Sequence, residues 1–380
     1  MMASNGIEVI GELLGKDRVG EPLKSIAHKV LSGDRISCDD AVTLFQKADL
    51  SMLGLLAGHV NQQKNGPNVF FNRNFHIEPT NVCVYSCSFC SFKRSPKEEG
   101  SWVLSLDDIA AIAKSYKDKD ITEVHVTGGA YPGWKLHHLA QIIKTIKVEL
   151  PDVHVKAFSA AELDYVFSKV EKISPEEGLK QLIKDGLNSI PGGGAEIFDA
   201  EIRNVICGEK LSGERWLEIH EAAHGLGLTS NATMLYGHIE NYSHRVDHLN
   251  RLRRQQDRTG GFNCFIPLKF KAKHNGLAHI GEVNSIEDLK TIAVSRIFLD
   301  NFNHIKAYWP MLGKQIAMLA LSFGANDLDG TIDDTTKIYS MAGAEDANPG
   351  MTVEEICNLI SQAGKNPVER DSLYNTIRSY

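Results

Sequence analysis

The sequence predicts an α/β protein built on a (β/α)8 TIM-type barrel, with helical extensions at its N- and C-terminal ends. Short apolar or β-branched runs alternate with helical patterns from about residue 70 to residue 330, which gives eight strand candidates. Nearly every strand candidate is followed directly by a helix, as is typical of a parallel sheet. Clusters of glycine lie where strands end, which is where closed barrels of this type bind their ligands.

The composition is ordinary for a globular protein and excludes several classes of function. The 380 residues are 42% hydrophobic and 23% charged, with a formal net charge of −7 and a pI near 6.1. This acidic balance disfavours a nucleic-acid-binding surface or a polybasic membrane patch. No apolar run approaches the roughly 20 residues of a membrane span, and no signal peptide is visible. Seven cysteines do not indicate a disulfide framework, so we expect a cytoplasmic protein in a reducing compartment.

The chain divides into three predicted regions: a helical N-terminal extension (1–65), the barrel (66–339) and a C-terminal helical extension (340–380). Helical periodicity covers residues 7 to 65, with an N-cap predicted at Ser37. The predicted barrel strands are 75–77, 123–127, 154–158, 187–191, 229–234, 261–267, 303–307 and 324–328. The predicted barrel helices are 106–118, 135–148, 196–206, 212–225, 241–256, 286–298 and 312–321, and further helices are predicted to fill 161–186. A helix at 352–363 and a polar tail complete the prediction.

Three cysteines, Cys83, Cys87 and Cys90, follow the first barrel strand at C-x3-C-x2-C spacing. So short a loop can direct three thiolates at one point, whereas a closed zinc or iron–sulfur site normally takes four protein ligands. The next cysteine is Cys207. Three ligands therefore predict a [4Fe–4S] cluster with one iron open to another molecule. The alternatives are a zinc site completed by a distant residue such as His125, or a two-cluster ferredoxin, which would need a fourth cysteine nearby.

Three further segments at strand ends could hold a ligand. Gly128 and Gly129 follow the second strand, where glycine lets the backbone approach a ligand closely; a plain turn is the alternative. Glu162 follows the third strand and could accept from hydroxyl or amine groups, or could be a first-turn glutamate favoured by the helix dipole. Gly193 is the centre of a glycine triplet after the fourth strand, which predicts a backbone cradle or, alternatively, a flexible connection.

The segment from His220 to His224 matches the H-E-x-x-H motif of zinc proteases. The extended form of that motif needs a third histidine where this chain has Ser230. The predicted helix also precedes a strand, so it lies on the outer ring and away from the barrel mouth. We therefore interpret the motif as a chance match in an amphipathic helix and reject a protease function.

Basic side chains are the groups that hold carboxylate substrates in proteins. The candidates are Arg203, Lys210, Arg215, Arg245, Lys269 and Lys306. Arg245 and Lys306 are favoured because each lies near the C-terminal end of a strand or the start of the next helix. For each candidate, a solvated surface charge is the alternative. His76 and His125 are interpreted as core histidines, with more weight on His76 because it precedes the cysteine loop.

The cysteine spacing, with Phe89 before the last cysteine, resembles that of the radical S-adenosylmethionine (SAM) enzymes. From about residue 70 to residue 345 the chain is similar to one subgroup, the menaquinone enzymes of the futalosine pathway and their relatives that build the deazaflavin chromophore. The matching stretches are 78–83, 127–132, 190–197, 232–237, 260–262, 265–268 and 324–330. Within this subgroup, residues 76–81 and 266–270 resemble the aminodeoxyfutalosine synthases most, whereas 271–275 departs from the expected pattern.

The resemblance implies that Cys83, Cys87 and Cys90 hold a [4Fe–4S] cluster whose open iron binds SAM. The cofactor-binding residues that it implies around SAM are Gly128, Gly129, Glu162 and Gly193. SAM would be a co-substrate: its 5′-deoxyadenosyl radical would add to the enolpyruvyl double bond of 3-[(1-carboxyvinyl)oxy]benzoate. Rearrangement and loss of bicarbonate would give 6-amino-6-deoxyfutalosine, an intermediate of menaquinone biosynthesis.

The implied partners are a small-molecule carboxylate substrate and a one-electron donor such as flavodoxin or ferredoxin, with no nucleic acid and no membrane. Two alternatives to the synthase stay open at this stage. The first is cyclic dehypoxanthine futalosine synthase, in which the same radical abstracts hydrogen and the substrate cyclises. The second is a non-catalytic iron–sulfur or zinc protein.

Overall fold

The computed structural model describes residues 19–331, 337–343 and 350–380. The helices that precede the barrel are α1 (Glu21–Leu31), α2 (Cys38–Lys47) and α3 (Leu50–Asn65). Ser37 caps α2 as predicted, because its hydroxyl accepts from the Asp40 N–H at 3.1 Å while the Asp40 carboxylate accepts from the Ser37 N–H at 2.9 Å. This reciprocal pair satisfies two N–H groups at the helix start. The predicted helical run over 7–18 lies outside the described residues.

Strands and helices alternate through the middle of the chain, as the sequence predicts. The strands are β1 (Asn68–Asn72), β2 (Asn74–Ile77), β3 (Glu123–Val126), β4 (His154–Ala157), β5 (Ser189–Ile190), β6 (Thr229–Tyr236), β7 (Phe262–Lys269), β8 (His304–Ile305) and β9 (Asp327–Gly330). The helices are α4 (Leu106–Lys114), α5 (Leu136–Glu149), α6 (Ala160–Asp164), α7 (Pro175–Lys184), α8 (Ala200–Cys207), α9 (Gly213–Gly225), α10 (Tyr242–Thr259), α11 (Ser285–Phe298), α12 (Trp309–Leu312) and α13 (Lys314–Ala320).

Two of the predicted helical regions are defined more closely by the structure. Helices are predicted to fill 161–186, and the structure divides this region: α6 continues as a π-helical turn that ends where Lys172 adopts a left-handed φ of +58°. Pro175 then starts α7, because its fixed φ suits the first helical position. The helix predicted from residue 196 begins only at Ala200, since the side chain of Asp199 caps it.

One parallel sheet forms most of the barrel wall, in the order β2-β3-β4-β5-β6-β7-β8. Adjacent strands are consecutive in the chain because each connection returns through a helix on the outer surface. The longest pairing joins β6 to β7, from Ser230 opposite Phe262 to Tyr236 opposite Lys269. The fold class predicted from the sequence is confirmed, as a curled half-barrel of seven strands.

The eighth predicted strand occupies a different sheet from the one expected. β9 pairs with β1 in a second sheet and meets the barrel wall through an isolated bridge between Lys306 and Asp327. On its other side, the Thr331 N–H donates to the Asn72 carbonyl at 3.1 Å, and the Asn74 N–H donates to the Thr331 hydroxyl at 3.3 Å. β9 therefore spans the gap between the last and first strands of the half-barrel.

The C-terminal region contains strands where the sequence predicted a polar tail. The expected helix is present as α15 (Val353–Gln362), after a short α14 (Ile338–Met341), but β10 (Asn366–Arg370) and β11 (Thr376–Ser379) follow it. β10 pairs parallel to β1 and antiparallel to β11. The prediction missed them because the β11 residues are all exposed and carry no apolar alternation. This hairpin closes the second sheet below the barrel.

Apolar side chains fill the space between the strands and the surrounding helices, and a few buried cations tie loops to that core. Arg296 of α11 is fully buried and donates to the Gly324 carbonyl and to the Asn326 side chain, both at 2.7 Å. These contacts fix the turn that leads into β9. No helix among the described residues is long and apolar enough to cross a membrane.

Candidate active site

One large cavity opens at the C-terminal ends of the barrel strands, where enzymes of this architecture carry their active sites. Its volume is about 300 Å³, which suits a small molecule. The charged side chains that line it are Lys93, Lys156, Lys210, Lys269, Lys271 and Lys306, with Glu162, Glu196 and Asp329. Six lysines against three carboxylates give a cationic cavity in a chain of net charge −7. Such a cavity favours anionic ligands.

The three cysteines of the predicted cluster loop, Cys83, Cys87 and Cys90, all line this cavity as free thiols. Thiolates gathered on one wall are the donors that iron–sulfur clusters take, so these residues fit a [4Fe–4S] cluster. No three His, Cys, Asp or Glu side chains among the described residues are close enough to share one metal ion; each cysteine of such a cluster binds its own iron. Cys207 is buried outside the cavity lining.

The cysteine loop is anchored to its neighbours through the backbone. The Val84 N–H donates to the Ala130 carbonyl at 3.0 Å, which ties the loop to the turn after β3. The Ser88 N–H donates to the Ile206 carbonyl at 2.8 Å, which ties it to the end of α8. These contacts place the loop between two fixed elements at the cavity mouth.

Gly128 and Gly129 line the cavity, and the turn that they form packs directly on the cysteine loop. A methyl group at Gly128 would lie 2.5 Å from the Thr80 carbonyl oxygen, and one at Gly129 would lie 2.3 Å from the Val82 carbonyl oxygen. Neither position can take a side chain without moving backbone. Glycine is therefore required at both positions because the turn packs so closely on the backbone that leads into the cysteine loop. The contact of these two glycines with SAM stays a prediction.

Glu162 lines the cavity next to this glycine turn and is only 4% exposed. Its carboxylate accepts from the Ser159 hydroxyl at 2.6 Å, the Thr127 hydroxyl at 3.1 Å and the Gly128 N–H at 3.1 Å. It also completes a capping box with Ser159 at the start of α6. Burial raises the pKa of Glu162 to about 7, although these hydrogen bonds act to lower it. The carboxylate thus joins the turn after β3 to the turn after β4.

We expect the contribution of Glu162 to stability to fall as the pH rises from about 4.5 to about 7. Its folded-state pKa lies above the ordinary value, so the stabilisation is present below pH 4.5 and is lost as the pH rises through 7. The shift corresponds to at most about 3 kcal/mol. Urea denaturation of the SAM-free protein and of Glu162→Gln, at several pH values between about 4.5 and 8, measures this contribution because the variant does not titrate there.

Glu177 offers a matched control, since it forms the same capping box with Ser174 at the exposed start of α7. Its hydrogen bonds lower its pKa. The free energy of unfolding of Glu177→Gln should therefore depend on pH between 4.5 and 7 in the same way as that of the parent protein. The interpretation of Glu162 is wrong if its replacement by glutamine leaves the pH profile of unfolding as it is in the parent protein.

The glycine triplet after β5 forms another wall of the cavity, with Gly193 at its centre. The Thr233 hydroxyl donates to the Gly192 carbonyl at 2.6 Å, and the Trp216 indole donates to the Gly193 carbonyl at 3.2 Å. Gly194 has a φ of +91°, a conformation that favours glycine. These hydrogen bonds hold the segment in place, which argues against the flexible connection considered as the alternative.

Three of the six basic candidates line the cavity, and each has a carboxylate partner. Their pairs are Lys210 with Glu196 at 2.6 Å, Lys269 with Asp288 at 2.9 Å, and Lys306 with Asp329. Glu196 does not lie in a helix as expected but adopts a φ of +45° in the loop before α8. These pairs offset the charge of the three lysines, but each ammonium has three N–H donors, so N–H groups stay available to a ligand.

The other three candidates serve the fold rather than the cavity. Arg203 donates to backbone carbonyls, and Arg215 pairs with Asp164 at 2.8 Å. Arg245, which the prediction favoured, pairs with Glu240 at 2.7 Å and Glu287 at 2.5 Å and is absent from the cavity lining formed by the described residues. The prediction for Arg245 is wrong, because two carboxylates neutralise it behind the barrel wall.

Four charged residues on the cavity wall were missed from the sequence: Lys93, Lys156, Lys271 and Asp329. Lys156 lies in β4 between Val155 and Ala157, which are both fully buried. A charge inside an apolar strand was the available signal, since such a residue must face a polar interior. Asp329 gave a weaker signal, an acidic residue between Leu328 and Gly330, and its left-handed φ of +75° could not be seen in the sequence.

The H-E-x-x-H segment forms a structural contact instead of a metal site. The imidazole Nδ1 of His220 and the imidazole Nε2 of His224 both lie 2.8 Å from the Ser230 hydroxyl, so the residue standing in place of a third histidine joins the two rings. His125 lines the cavity with its ring 4.7 Å from that of His76. Burial lowers the pKa of His125 well below its ordinary value, so its ring is neutral.

Two family models match consecutive parts of the chain. The radical SAM superfamily matches residues 77–252, and the CofH/MqnC C-terminal region matches residues 259–379. A crystal structure of methylornithine synthase has the same fold, with a TM-score of 0.71 at 18% identity over 90% of this chain and 97% of that one. The chain belongs to the radical SAM superfamily, whose members use a [4Fe–4S] cluster and SAM.

Curated relatives narrow the similarity within this superfamily. Aminodeoxyfutalosine synthase of Thermus thermophilus is 43% identical over 357 residues, 93% of this chain and 95% of the relative. The Streptomyces coelicolor enzyme of that name is 40% identical over 367 residues, 94% of each chain. Cyclic dehypoxanthine futalosine synthase of Streptomyces coelicolor is 36% identical over 358 residues, 93% of this chain and 88% of the relative. The subgroup predicted from the sequence is confirmed.

Proposed function

We propose that this protein is an aminodeoxyfutalosine synthase of menaquinone biosynthesis. The observation that carries the proposal is one cavity lined by three cysteines and six lysines. It occurs in a chain that is similar to synthases of that name over 93–94% of its length. The reaction joins an adenosyl group from SAM to 3-[(1-carboxyvinyl)oxy]benzoate, an anionic substrate that suits a cationic cavity.

In this proposal Cys83, Cys87 and Cys90 hold the [4Fe–4S] cluster and leave one iron open for the methionine part of SAM. When bound, the cluster supplies the electron that releases methionine and a 5′-deoxyadenosyl radical from SAM. The radical would add to the enolpyruvyl double bond. Rearrangement and loss of the carboxylate, which becomes bicarbonate by taking up water, would give 6-amino-6-deoxyfutalosine, and the one electron left over would return to the cluster. An external one-electron donor such as flavodoxin or ferredoxin would reduce the cluster.

The chain's own contribution is to position SAM and substrate and to exclude water. The turn of Gly128 and Gly129 presents backbone groups beside the cysteine loop, where the SAM methionine would lie. Glu162 supplies an acceptor for the ribose hydroxyls or the amine, and Gly193 supplies a backbone wall for the adenosine. A closed cavity that holds the two reactants together makes this addition much faster than the competing reactions of the radical.

We also propose the division into 1–65, 66–339 and 340–380 as functional regions, with 66–339 carrying the site.

The second candidate is cyclic dehypoxanthine futalosine synthase, which the similarity to that enzyme favours over unrelated functions. The two activities differ in the fate of the adenosyl group. A synthase incorporates it into the product, whereas hydrogen abstraction releases 5′-deoxyadenosine. A non-catalytic iron–sulfur or zinc protein would give neither product.

Anaerobic reconstitution followed by parallel assays distinguishes these functions. We expect about four irons per chain, a brown chromophore and SAM cleavage on reduction. With 3-[(1-carboxyvinyl)oxy]benzoate, mass spectrometry should detect an adduct that contains adenosine. With dehypoxanthine futalosine, turnover should be at background. Release of 5′-deoxyadenosine coupled only to the second substrate would assign the cyclase, and a colourless zinc-containing protein would exclude both enzymes.

A further inference from the structure

The floor of the cavity carries two buried lysines on opposite sides of the barrel. Lys156 lies within β4, and Lys306 follows β8; they are 6% and 2% exposed. Strand register places Lys156 opposite His125, and His125 opposite His76 near the end of β2. Both lysines also border a small void beneath the cavity. They therefore lie below the cysteine loop, which begins after β2.

Each of these lysines is paired with a buried carboxylate, so the floor presents N–H donors rather than a net positive charge. Lys156 pairs with Glu123, which borders the lower void and not the cavity lining formed by the described residues. Lys306 pairs with Asp329 and lies 3.7 Å from Asp327. Each ammonium has three N–H donors. Lys156 has one carboxylate within ion-pair distance and Lys306 has two, so neither ammonium has all three N–H groups occupied and both lysines can donate to a ligand above.

Asp329 has a strained backbone conformation that its neighbours hold in place. It is buried and has a φ of +75°, which is uncommon outside glycine. Its N–H donates to the Asp327 side chain at 2.7 Å, while Arg370 donates to the other oxygen of Asp327 at 2.7 Å. Such conformations persist where surrounding structure enforces them, often at functional sites. Here the effect is to fix the Asp329 carboxylate beside Lys306 on the floor.

We propose that Lys156 and Lys306 bind the ring carboxylate of 3-[(1-carboxyvinyl)oxy]benzoate, with Asp329 as a positioning residue for Lys306. This inference rests on the proposed function. The enol ether must face the cysteine wall, where the adenosyl radical is released, and the ring carboxylate lies at the opposite end of the molecule. Of the six lysines that line the cavity, Lys156 and Lys306 are the two that also border the void beneath it. The floor thus selects an aromatic carboxylate and fixes the distance to the double bond.

Equilibrium binding without turnover tests the inference. The reconstituted protein with SAM and no reductant is titrated with 3-[(1-carboxyvinyl)oxy]benzoate and with 2-phenoxyprop-2-enoate, which lacks the ring carboxylate. We expect the parent protein to prefer the dicarboxylate by about 100-fold, as two charge-assisted hydrogen bonds allow. Lys306→Met and Lys156→Met should each reduce this preference to less than about 10-fold, with little change in affinity for the phenoxy compound.

Two further variants make the result decisive. Lys306→Met/Asp329→Asn removes both charges, so a loss of preference in it cannot come from an unpaired buried aspartate. Lys147→Met is the control, because Lys147 donates to the Val153 carbonyl at 2.6 Å away from the cavity lining and should retain the full preference. Preference retained in Lys306→Met, in Lys156→Met and in the double variant would overturn the inference.

The outcomes separate this inference from the proposed function. If the parent protein forms the adenosine adduct but the lysine variants keep the preference, the synthase stands and the floor assignment fails. If the parent shows the lysine-dependent preference without forming an adduct, the carboxylate site stands and the synthase fails. If the parent binds neither compound, both are overturned.

Discussion

Cys87→Ala should lose the brown chromophore and turnover together. Cys87 lies in the middle of the cysteine loop and lines the cavity. Burial raises the pKa of its thiol to about 12, so the free thiol is protonated at neutral pH. Binding of iron would deprotonate it and make it a thiolate ligand. With two cysteines left, the loop cannot hold a cubane cluster. We expect iron to fall from about four per chain to background and SAM cleavage to fall by more than about 10³-fold, since the cluster carries the difficult step.

Cys207→Ala is the matched control for this experiment. Cys207 is close enough to Cys87 for their charges to interact, yet it is buried outside the cavity lining formed by the described residues. The variant should keep its iron content, colour and SAM cleavage. Iron quantitation and visible spectroscopy after anaerobic reconstitution measure both variants side by side. Loss of the cluster in Cys207→Ala would mean that a fourth cysteine closes the site, and SAM cleavage by Cys87→Ala would mean that the ligand assignment is wrong.

The sequence was sufficient for the parts of the site that depend on local spacing. Cys83, Cys87 and Cys90 fall within eight residues, so their convergence on one wall follows from the length of the loop. Gly128 and Gly129 end a strand next to the one that leads into that loop. Because parallel strands end at the same edge, adjacency in the chain becomes adjacency in space.

The remaining features depend on contacts between distant segments. Lys156 looked like an isolated charge because its partner Glu123 is 33 residues away, on the neighbouring strand. Arg245 looked available because Glu287, 42 residues later, could not be recognised as its partner. β9 was expected in the barrel sheet, but pairing with β1 decides its position, and β1 precedes it by more than 250 residues. Periodicity within a segment carries no information on these pairings.

Arg203→Met should destabilise the protein and also weaken SAM binding. Arg203 is 4% exposed, and its guanidinium donates to the carbonyls of Gly194, Ala195, Ile197 and Leu211 at 2.5–3.3 Å. Methionine has a similar length but no donor, so it leaves these buried acceptors unsatisfied. We expect the free energy of unfolding to fall by about 4 kcal/mol. Urea denaturation and titration with SAM measure the two effects.

An arginine that only stabilises the fold would affect unfolding but not SAM affinity, so the loss of SAM affinity is the distinguishing measurement. Three of the four carbonyls that Arg203 holds, those of Gly194, Ala195 and Ile197, belong to the segment that follows Gly193, so their release should loosen the wall proposed for adenosine. Arg253 is the comparison, because it is also buried and donates to the carbonyls of Ile36, before α2, and Phe298, at the end of α11, at 3.0 and 3.2 Å. Arg253→Met should lower the free energy of unfolding and leave SAM affinity within about twofold. If both variants weaken SAM binding equally, the glycine wall has no special part in binding it, and the adenosine must lie elsewhere in the cavity.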